Sequence, residues 1–99
     1  MSDAAETFRR AAVDNVLGPA GKATPEQRRA AFENADSSPA RALIDKVAAN
    51  AWKVTAEDVA AAKAAGVTED QIFELCVAAA MGQATRQLDA ARAAIKETK

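Results

Sequence analysis

Apolar residues recur at helical spacing over the longest uninterrupted stretch of the chain, residues 68–98. This stretch contains no proline and a single glycine, Gly82, so the pattern predicts one long helix or two helices that meet there. Further apolar residues lie beside the main stripe in the first half, and we therefore expect burial on nearly all sides from Ile72 to Met81. The main stripe follows steps of three and four residues and consists of Phe73, Val77, Ala80, Ala84, Leu88, Ala91 and Ile95.

Residues that favour helix ends divide the first third of the chain into two shorter helices. A helix is predicted from about Asp3 to Leu17, where a Gly-Pro pair follows. The Thr-Pro-Glu-Gln sequence at 24–27 supplies an N-cap, a first-turn proline and a capping-box glutamine. It predicts a second helix that ends near Asn34, and the many charges of this segment indicate a surface helix on a connecting arm.

Two further helices are predicted on either side of Trp52. The Ser-Ser-Pro sequence at 37–39 repeats the start signal, and apolar residues at helical spacing continue that helix almost to the tryptophan. Thr55, with Asp58 three residues later, caps the next helix. Gly66 suits the left-handed conformation that ends it.

These elements predict one all-α domain of four or five helices with a long C-terminal helix. No segment has the strict alternation of apolar and polar residues that a half-buried strand requires. Thr68 and Gln71 have the spacing of a capping box and mark the start of the long helix. In this arrangement residues 1–36 form a helical N-terminal arm, and residues 37–99 form the core.

Composition limits how large that core can be. Among the apolar residues 28 are alanine and 21 are larger, and alanine buries little area, so the hydrophobic stabilisation of a single chain is modest. One cysteine allows no internal disulfide, and the lack of histidine leaves no recognisable zinc site. Self-association is another common way to stabilise a small core, so we predict a homo-oligomer.

The charges exclude several classes of partner. The 13 basic and 14 acidic residues are interspersed and give a net charge of −1, so no basic stripe is available for nucleic acid. The longest apolar run is too short to cross a bilayer, and the N-terminus lacks the features of a signal peptide. We expect a cytoplasmic protein with no membrane partner and no cofactor.

Few residues are candidates for chemistry. Cys76 is the single thiol, and its apolar mid-helix neighbours indicate a small buried hydrophobe rather than a nucleophile. Trp52 has two interpretations: an anchor at the edge of the core or at an interface, or one wall of a small-molecule pocket with Val54 and Cys76. With histidine absent, acid–base catalysis would fall to Asp58 or Lys53, although capping alone explains the aspartate.

The sequence VAAAKAAGVTEDQI at residues 59–72, followed by an alanine-rich helix with Gly82, resembles the carboxymuconolactone decarboxylase and AhpD-like family. In that family a turn of the form A-G-x-[ST]-x-x-[EQ]-I joins a helix that carries the active site to a long buried helix. Here the turn runs from Ala65 to Ile72, and the resemblance covers residues 51–95. It implies an all-α subunit assembled as a trimer or hexamer, with the helices of the shared motif at subunit contacts.

The same resemblance predicts that the thiol chemistry of the family is absent. Members with thiol activity carry a CxxC and a histidine before the turn, and those places fall at Ala51, Val54 and Asp58. All three are replaced, so both the nucleophile and the proton shuttle are missing.

Two classes of function remain. The first is an oligomeric binding or structural subunit whose former active-site cavity is apolar around Trp52, Val54 and Cys76. The alternative is an enzyme with a non-thiol site, in which Asp58 or Lys53 transfers a proton on a small carbonyl or carboxylate substrate.

Overall fold

The computed structural model describes residues 3–18, 21–35 and 38–98, and the chain is all-α throughout these ranges. A short 3-10 turn, Ala51–Lys53, joins the third helix to the fourth. The predicted all-α fold with a long C-terminal helix is confirmed. The helices are α1 (Asp3–Leu17), α2 (Pro25–Phe32), α3 (Arg41–Asn50), α4 (Ala56–Ala64) and α5 (Glu69–Glu97).

Three helices begin with the capping boxes that the sequence predicts. In each, a threonine hydroxyl accepts a hydrogen bond from the backbone N–H three residues later, and that later residue's side chain accepts one from the threonine N–H. These reciprocal bonds satisfy backbone donors that the first helical turn leaves unpaired. The pairs are Thr24–Gln27 in α2, Thr55–Asp58 in α4 and Thr68–Gln71 in α5.

The remaining boundaries follow local backbone chemistry. Gly66 has φ +98° directly after α4, a conformation that glycine adopts without the strain of a Cβ, and this confirms the predicted stop. α3 begins at Arg41, two residues later than its start signal indicates, because Ser38 and Pro39 form a turn in which the serine Oγ accepts from the Ala40 N–H at 3.1 Å. Two residues of the predicted helix-end signals, Pro19 after α1 and Ser37 before α3, lie outside the described residues.

α5 is a single continuous helix, but it buries a different face from the main apolar stripe. Phe73 on that stripe is 69% exposed and Ile95 is 65% exposed. The prediction of burial on nearly all sides from Ile72 to Met81 is wrong, because the other helices cover only part of the circumference of α5. Its buried residues are Ile72, Leu75, Ala78, Ala79 and Gly82.

The core lies where α2 and α3 pack on the first half of α5. Leu43 and Ile44 of α3 and Leu75 of α5 are its largest fully buried side chains. α2 makes the most extensive contact with α5, and its Ala31 is completely buried. The second helix is therefore part of the core, which differs from the surface helix on an arm that its charges indicate.

The close contact between α2 and α5 depends on Gly82. A Cβ at this position would lie 2.7 Å from the carbonyl carbon of Phe32 and 2.9 Å from its Cα, and closer still to the carbonyl oxygen. That oxygen accepts a hydrogen bond from Arg86 Nη1 at 2.7 Å, which satisfies an acceptor at the C-terminal end of α2. The glycine thus allows two helix backbones to approach more closely than any side chain would permit.

The chain is elongated, with principal extents of 51 × 28 × 19 Å. Its radius of gyration is 14.8 Å, whereas a compact domain of this length has a value of about 13 Å. Within the described part of α5, no residue after Gly82 is buried. The C-terminal half of α5 therefore projects beyond the core.

Candidate functional site

The predicted acid–base residues occupy structural positions. Asp58 accepts from Lys46 Nζ at 2.8 and 3.0 Å and also from the backbone N–H of Thr55. These bonds, first of all the one from the lysine, lower the pKa of Asp58. The lysine and the helix cap both stabilise the ionised carboxylate, so Asp58 is a weaker base than a free aspartate.

Lys53 and Trp52 lie in the 3-10 turn, and both are exposed; the indole is 77% exposed. Val54 and Cys76, by contrast, are partly buried and pack against the core. Trp52 thus neither fills a cavity nor anchors the core of a single chain.

Cys76 is half-buried rather than fully buried as its neighbours predict, because it lies between the covered and the exposed faces of α5. Burial raises the pKa of its thiol. The thiolate fraction at neutral pH is therefore smaller than for a free cysteine, which is opposite to the requirement of a nucleophile.

A cavity of about 320 Å³ lies between α1, the loop before α2, α2 itself and the part of α5 from Phe73 to Val77. Its walls combine apolar groups with one basic and one acidic side chain, and its rim residues Asn15 and Phe73 are exposed. The volume falls at the small end of the range for ligand sites, about 300–1,000 Å³. The lining residues are Asn15, Val16, Gly21, Arg28, Phe73, Glu74 and Val77.

Arg28 is the buried cation of this cavity. The side chain is only 3% exposed, and its Nη1 donates to the carbonyl oxygen of Val16 at 2.7 Å, which ties α2 to α1. Nε and Nη2 are buried and have no hydrogen-bond partner among the residues that the structure describes. Buried polar groups are normally paired, so this edge of the guanidinium requires an explanation.

Glu74 is the acidic side chain of the cavity, and its charge is engaged by the loop before α2. Its carboxylate oxygens accept from the backbone N–H groups of Lys22 and Ala23 at 2.8–3.1 Å. Gly21 has φ +127°, and a Cβ there would collide with the same carboxylate. The loop is therefore shaped around Glu74.

A group of charges joins α1 to the second half of α5. Glu6 binds Arg9 and Arg92, and Arg9 Nη1 also donates to Thr85 Oγ1 at 3.3 Å. These bonds, led by the one from Arg9, lower the pKa of Glu6 to about 2. Because Glu6 lies beside Arg92 and Arg9 beside Thr85, α1 runs antiparallel to α5.

The charged residues of α5 between Ile72 and Ile95 all lie toward the rest of the chain. Glu74 binds the loop before α2, Arg86 binds the end of α2, and Arg92 binds Glu6. The bond to Glu6 and, to a smaller extent, the charge of Asp89 raise the pKa of Arg9, which places Asp89 on the side of α5 that faces α1. The opposite side of the helix carries an uncharged stripe that begins at Phe73, in which Val77 and Leu88 are half-buried and the other residues are exposed. We call it the outer stripe: Phe73, Val77, Ala80, Ala84, Leu88, Ala91 and Ile95.

The sequence signals for these features were present but weak. Glu74 is the one charge inside the apolar run from Ile72 to Met81, which indicates a specific partner. Arg28 lies three and four residues before Ala31 and Phe32, on the apolar side of α2, where an arginine is uncommon. Neither residue was among the predicted site residues.

Comparisons with protein-family models, with curated proteins and with solved structures give no match to this chain. The resemblance to the AhpD-like family therefore stays a prediction. Across the described residues, every helix is too short or too polar to cross a membrane.

Proposed function

We propose that this chain is a self-associating, non-catalytic helical subunit, an oligomeric binding or structural protein of AhpD-like type without the thiol site. The observation that carries the proposal is the reversed charge distribution of α5. Between Ile72 and Ile95 its charged side chains bind the chain's own helices and loops, while Phe73 and Ile95 face solvent. A helix at the surface of a monomer normally has the opposite arrangement.

The occupant that fits the outer stripe is a second copy of the same stripe in antiparallel orientation. A twofold axis at Ala84, the middle of the stripe, pairs Phe73 of each copy with the partner's Ile95. Ala84 then meets Ala84 of the partner at the centre, where small residues allow two helix backbones to approach closely, and Ala80 lies opposite the partner's Leu88. The two bulky ends and the small centre therefore complement each other.

The area that the outer stripe can bury indicates that α1 also takes part in the dimer interface. The stripe spans about 33 Å at 1.5 Å per residue, and a helix is about 10 Å wide, so α5 alone supplies about 330 Å² per copy. The contacts of Glu6 and Arg9 fix the side of α1 that faces α5, and Phe8, 78% exposed, then lies on the flank beside the outer stripe. Twice the value for α5 is about 660 Å² in total, which falls short of the roughly 1,000 Å² of a specific interface, so the exposed flank of α1 around Phe8 must supply the remainder.

The ends of α5 are also complementary in this orientation. The first turn carries Glu69 and Asp70, and the last turn carries Lys96 together with Glu97. Antiparallel pairing separates the two acidic first turns, brings each of them toward Lys96 of the partner helix and aligns the helix dipoles in opposite directions. A parallel pair would place like charges together.

The alternative, an enzyme that uses Asp58 or Lys53, gains no support from the site. The carboxylate caps α4 and binds Lys46, and Lys53 is exposed. We place the subunit in the cytoplasm, as its composition indicates. A twofold contact is compatible with a dimer or with the hexamer that the resemblance implies, but not with an isolated trimer.

Light scattering at micromolar concentration tests the proposal. We expect a mass of at least twice 10.3 kDa for the wild type and of 10.3 kDa for Ala84→Glu, which places two carboxylates opposite each other on the axis. The matched control is Ala93→Glu, an exposed alanine of the same helix that lies off the outer stripe. A monomeric wild type refutes self-association, and equal masses for the two variants refute this interface.

A further inference from the structure

We propose that the cavity beside Arg28 binds a small monocarboxylate with an apolar tail, with the carboxylate on the guanidinium and the tail along the apolar wall. Every lining residue belongs to one chain, and two of them, Phe73 and Val77, also belong to the outer stripe that the proposed self-association covers. A ligand of this class would give the proposed binding subunit a specific small-molecule partner.

The guanidinium itself selects the head group of the ligand. Nη1 is already bonded to Val16, which leaves Nε and Nη2, the two donors that point in parallel from one edge of the planar group. A carboxylate accepts two parallel N–H bonds from such an edge, a geometry that neither a hydroxyl nor a carbonyl matches. A permanent cation that is 3% exposed and lacks an ion pair is costly, and a bound anion removes that cost.

The rest of the cavity selects the tail. Val16, Phe73 and Val77 provide an apolar wall, and the volume of about 320 Å³ holds about ten groups of the size of a water molecule. A carboxylate with a chain of about five carbons fits this space. Nε and Nη2 are shielded from solvent, so the carboxylate reaches them only after the side chains that cover this edge of the guanidinium move.

Glu74 restricts the charge of the ligand. It lines the same cavity but forms no ion pair with Arg28, since its oxygens accept from the loop N–H groups instead. Its negative charge disfavours a second carboxylate on the ligand. The cavity therefore fits a monoanion better than a dicarboxylate or a phosphate dianion.

Titration with hexanoate through the millimolar range tests the site, with the NMR signal of the Arg28 Nε–H group as the readout. We expect a saturable shift of this signal and a rise in thermal midpoint, because a ligand that binds only the folded state stabilises it. Hexanol keeps the tail and lacks the carboxylate, and succinate adds a second charge. Both should bind at least tenfold more weakly; equal affinity of hexanol, or no shift of the Arg28 signal, overturns the proposal.

Variants of α2 give a second test. Arg28→Lys keeps the charge but loses the paired donors, so hexanoate affinity should fall at least tenfold. The matched control is Arg29→Gln, which removes an exposed charge from the neighbouring position and should leave affinity unchanged. If Arg28→Lys fails to fold, the NMR titration of the wild type still decides the proposal.

The monomeric variant Ala84→Glu separates the two proposals. Hexanoate should bind this variant at least as tightly as the wild type, since the cavity lies within one chain and the variant leaves Phe73 and Val77 uncovered. Loss of binding in this variant alone would overturn the single-chain site without touching self-association. A wild type that is monomeric yet binds hexanoate would refute self-association and support the site.

Discussion

The two halves of α5 are held by different forces, although they form one continuous helix. Residues 69–82 contribute every buried residue of the helix, pack against α2 and α3, and start from the Thr68 capping box. Residues 83–97 contribute none, and they are joined to α1 and to the end of α2 by hydrogen bonds and ion pairs of Arg86, Arg92 and Thr85. Close packing holds residues 69–82, and hydrogen bonds and ion pairs hold residues 83–97.

The difference indicates which part of the molecule is complete as a single chain. Burial and close packing exclude water from the first half and contribute free energy without a partner. Exposed and half-exposed ion pairs contribute little, typically about 0–1 kcal/mol, so the second half gains much less from the contacts within one chain. That half also carries Ile95 and most of the exposed alanines of the outer stripe, which is where a second copy would add stability.

The largest effect expected from this comparison is that of Gly82→Ala. Alanine favours a helix interior by about 1 kcal/mol over glycine, but the added Cβ would overlap the Phe32 backbone. Overpacking that cannot relax costs about 3 kcal/mol, so we expect a net loss of about 2 kcal/mol in the free energy of unfolding. Urea denaturation followed by circular dichroism measures it.

Gln87→Ala provides the control in the other half of the helix. Gln87 is exposed, so its replacement should change the free energy of unfolding by less than about 0.5 kcal/mol. If Gly82→Ala is as stable as this variant, the first half of α5 is not held by close contact with α2.

A smaller effect is expected at the joint between α1 and the second half. The pKa of Glu6 is about 2 in the folded chain against an ordinary value of 4.5, so the folded state binds fewer protons at Glu6 than the unfolded state between these values. The stabilisation is therefore fully present above about pH 4.5 and is lost as the pH falls toward 2. α1 should separate from α5 over this range.

Glu6→Gln isolates this contribution from the other carboxyl groups that titrate in acid. The wild type should have the higher urea midpoint at pH 6, and the two midpoints should converge as the pH falls toward 2. Addition of salt at pH 6 should also reduce the difference, since partly exposed pairs are screened. A difference that stays constant with pH would show that Glu6 acts by packing rather than by charge.

The local structure was predictable from the sequence because its causes are local. A threonine followed three residues later by a glutamine or aspartate fixes a helix start through its own hydrogen bonds, and Gly66 fixes an end through its own φ. The predicted start of α3 missed by two residues because Ser38 forms a turn before the helix instead of capping it.

The side of α5 that is buried was not predictable in the same way. The spacing of apolar residues identifies the apolar faces of a helix, and α5 has two such faces. One lies around Leu75 and Ala79, and the other is the outer stripe. The choice between them depends on where α2 and α3 lie, and the decisive residue is Gly82, whose missing side chain admits the end of α2. A glycine in a helix interior signals close approach but does not identify the partner.

The candidate site was the least predictable feature. Asp58, Lys53 and Cys76 drew attention by residue type, yet the aspartate serves a cap and an ion pair, and the lysine is exposed. Arg28 resembled one more surface charge of α2 because the walls that bury it come from α1 and α5, far away in sequence. Only tertiary structure reveals that a charge lacks a partner.

The smallest expected effect concerns Cys76, at the boundary between the covered and the outer faces of α5. A dithiol peroxidase cycles between two thiols and a disulfide, and the chain has one cysteine. Burial raises the pKa of that thiol, so the reactive thiolate is scarce at neutral pH. We expect slow labelling by a thiol reagent at pH 7 that accelerates above pH 9, and no peroxide turnover above a Cys76→Ser control. Saturable peroxide consumption that Cys76→Ser abolishes would show that Cys76 is a nucleophile. Rapid labelling at pH 7 would show that the first half of α5 opens readily.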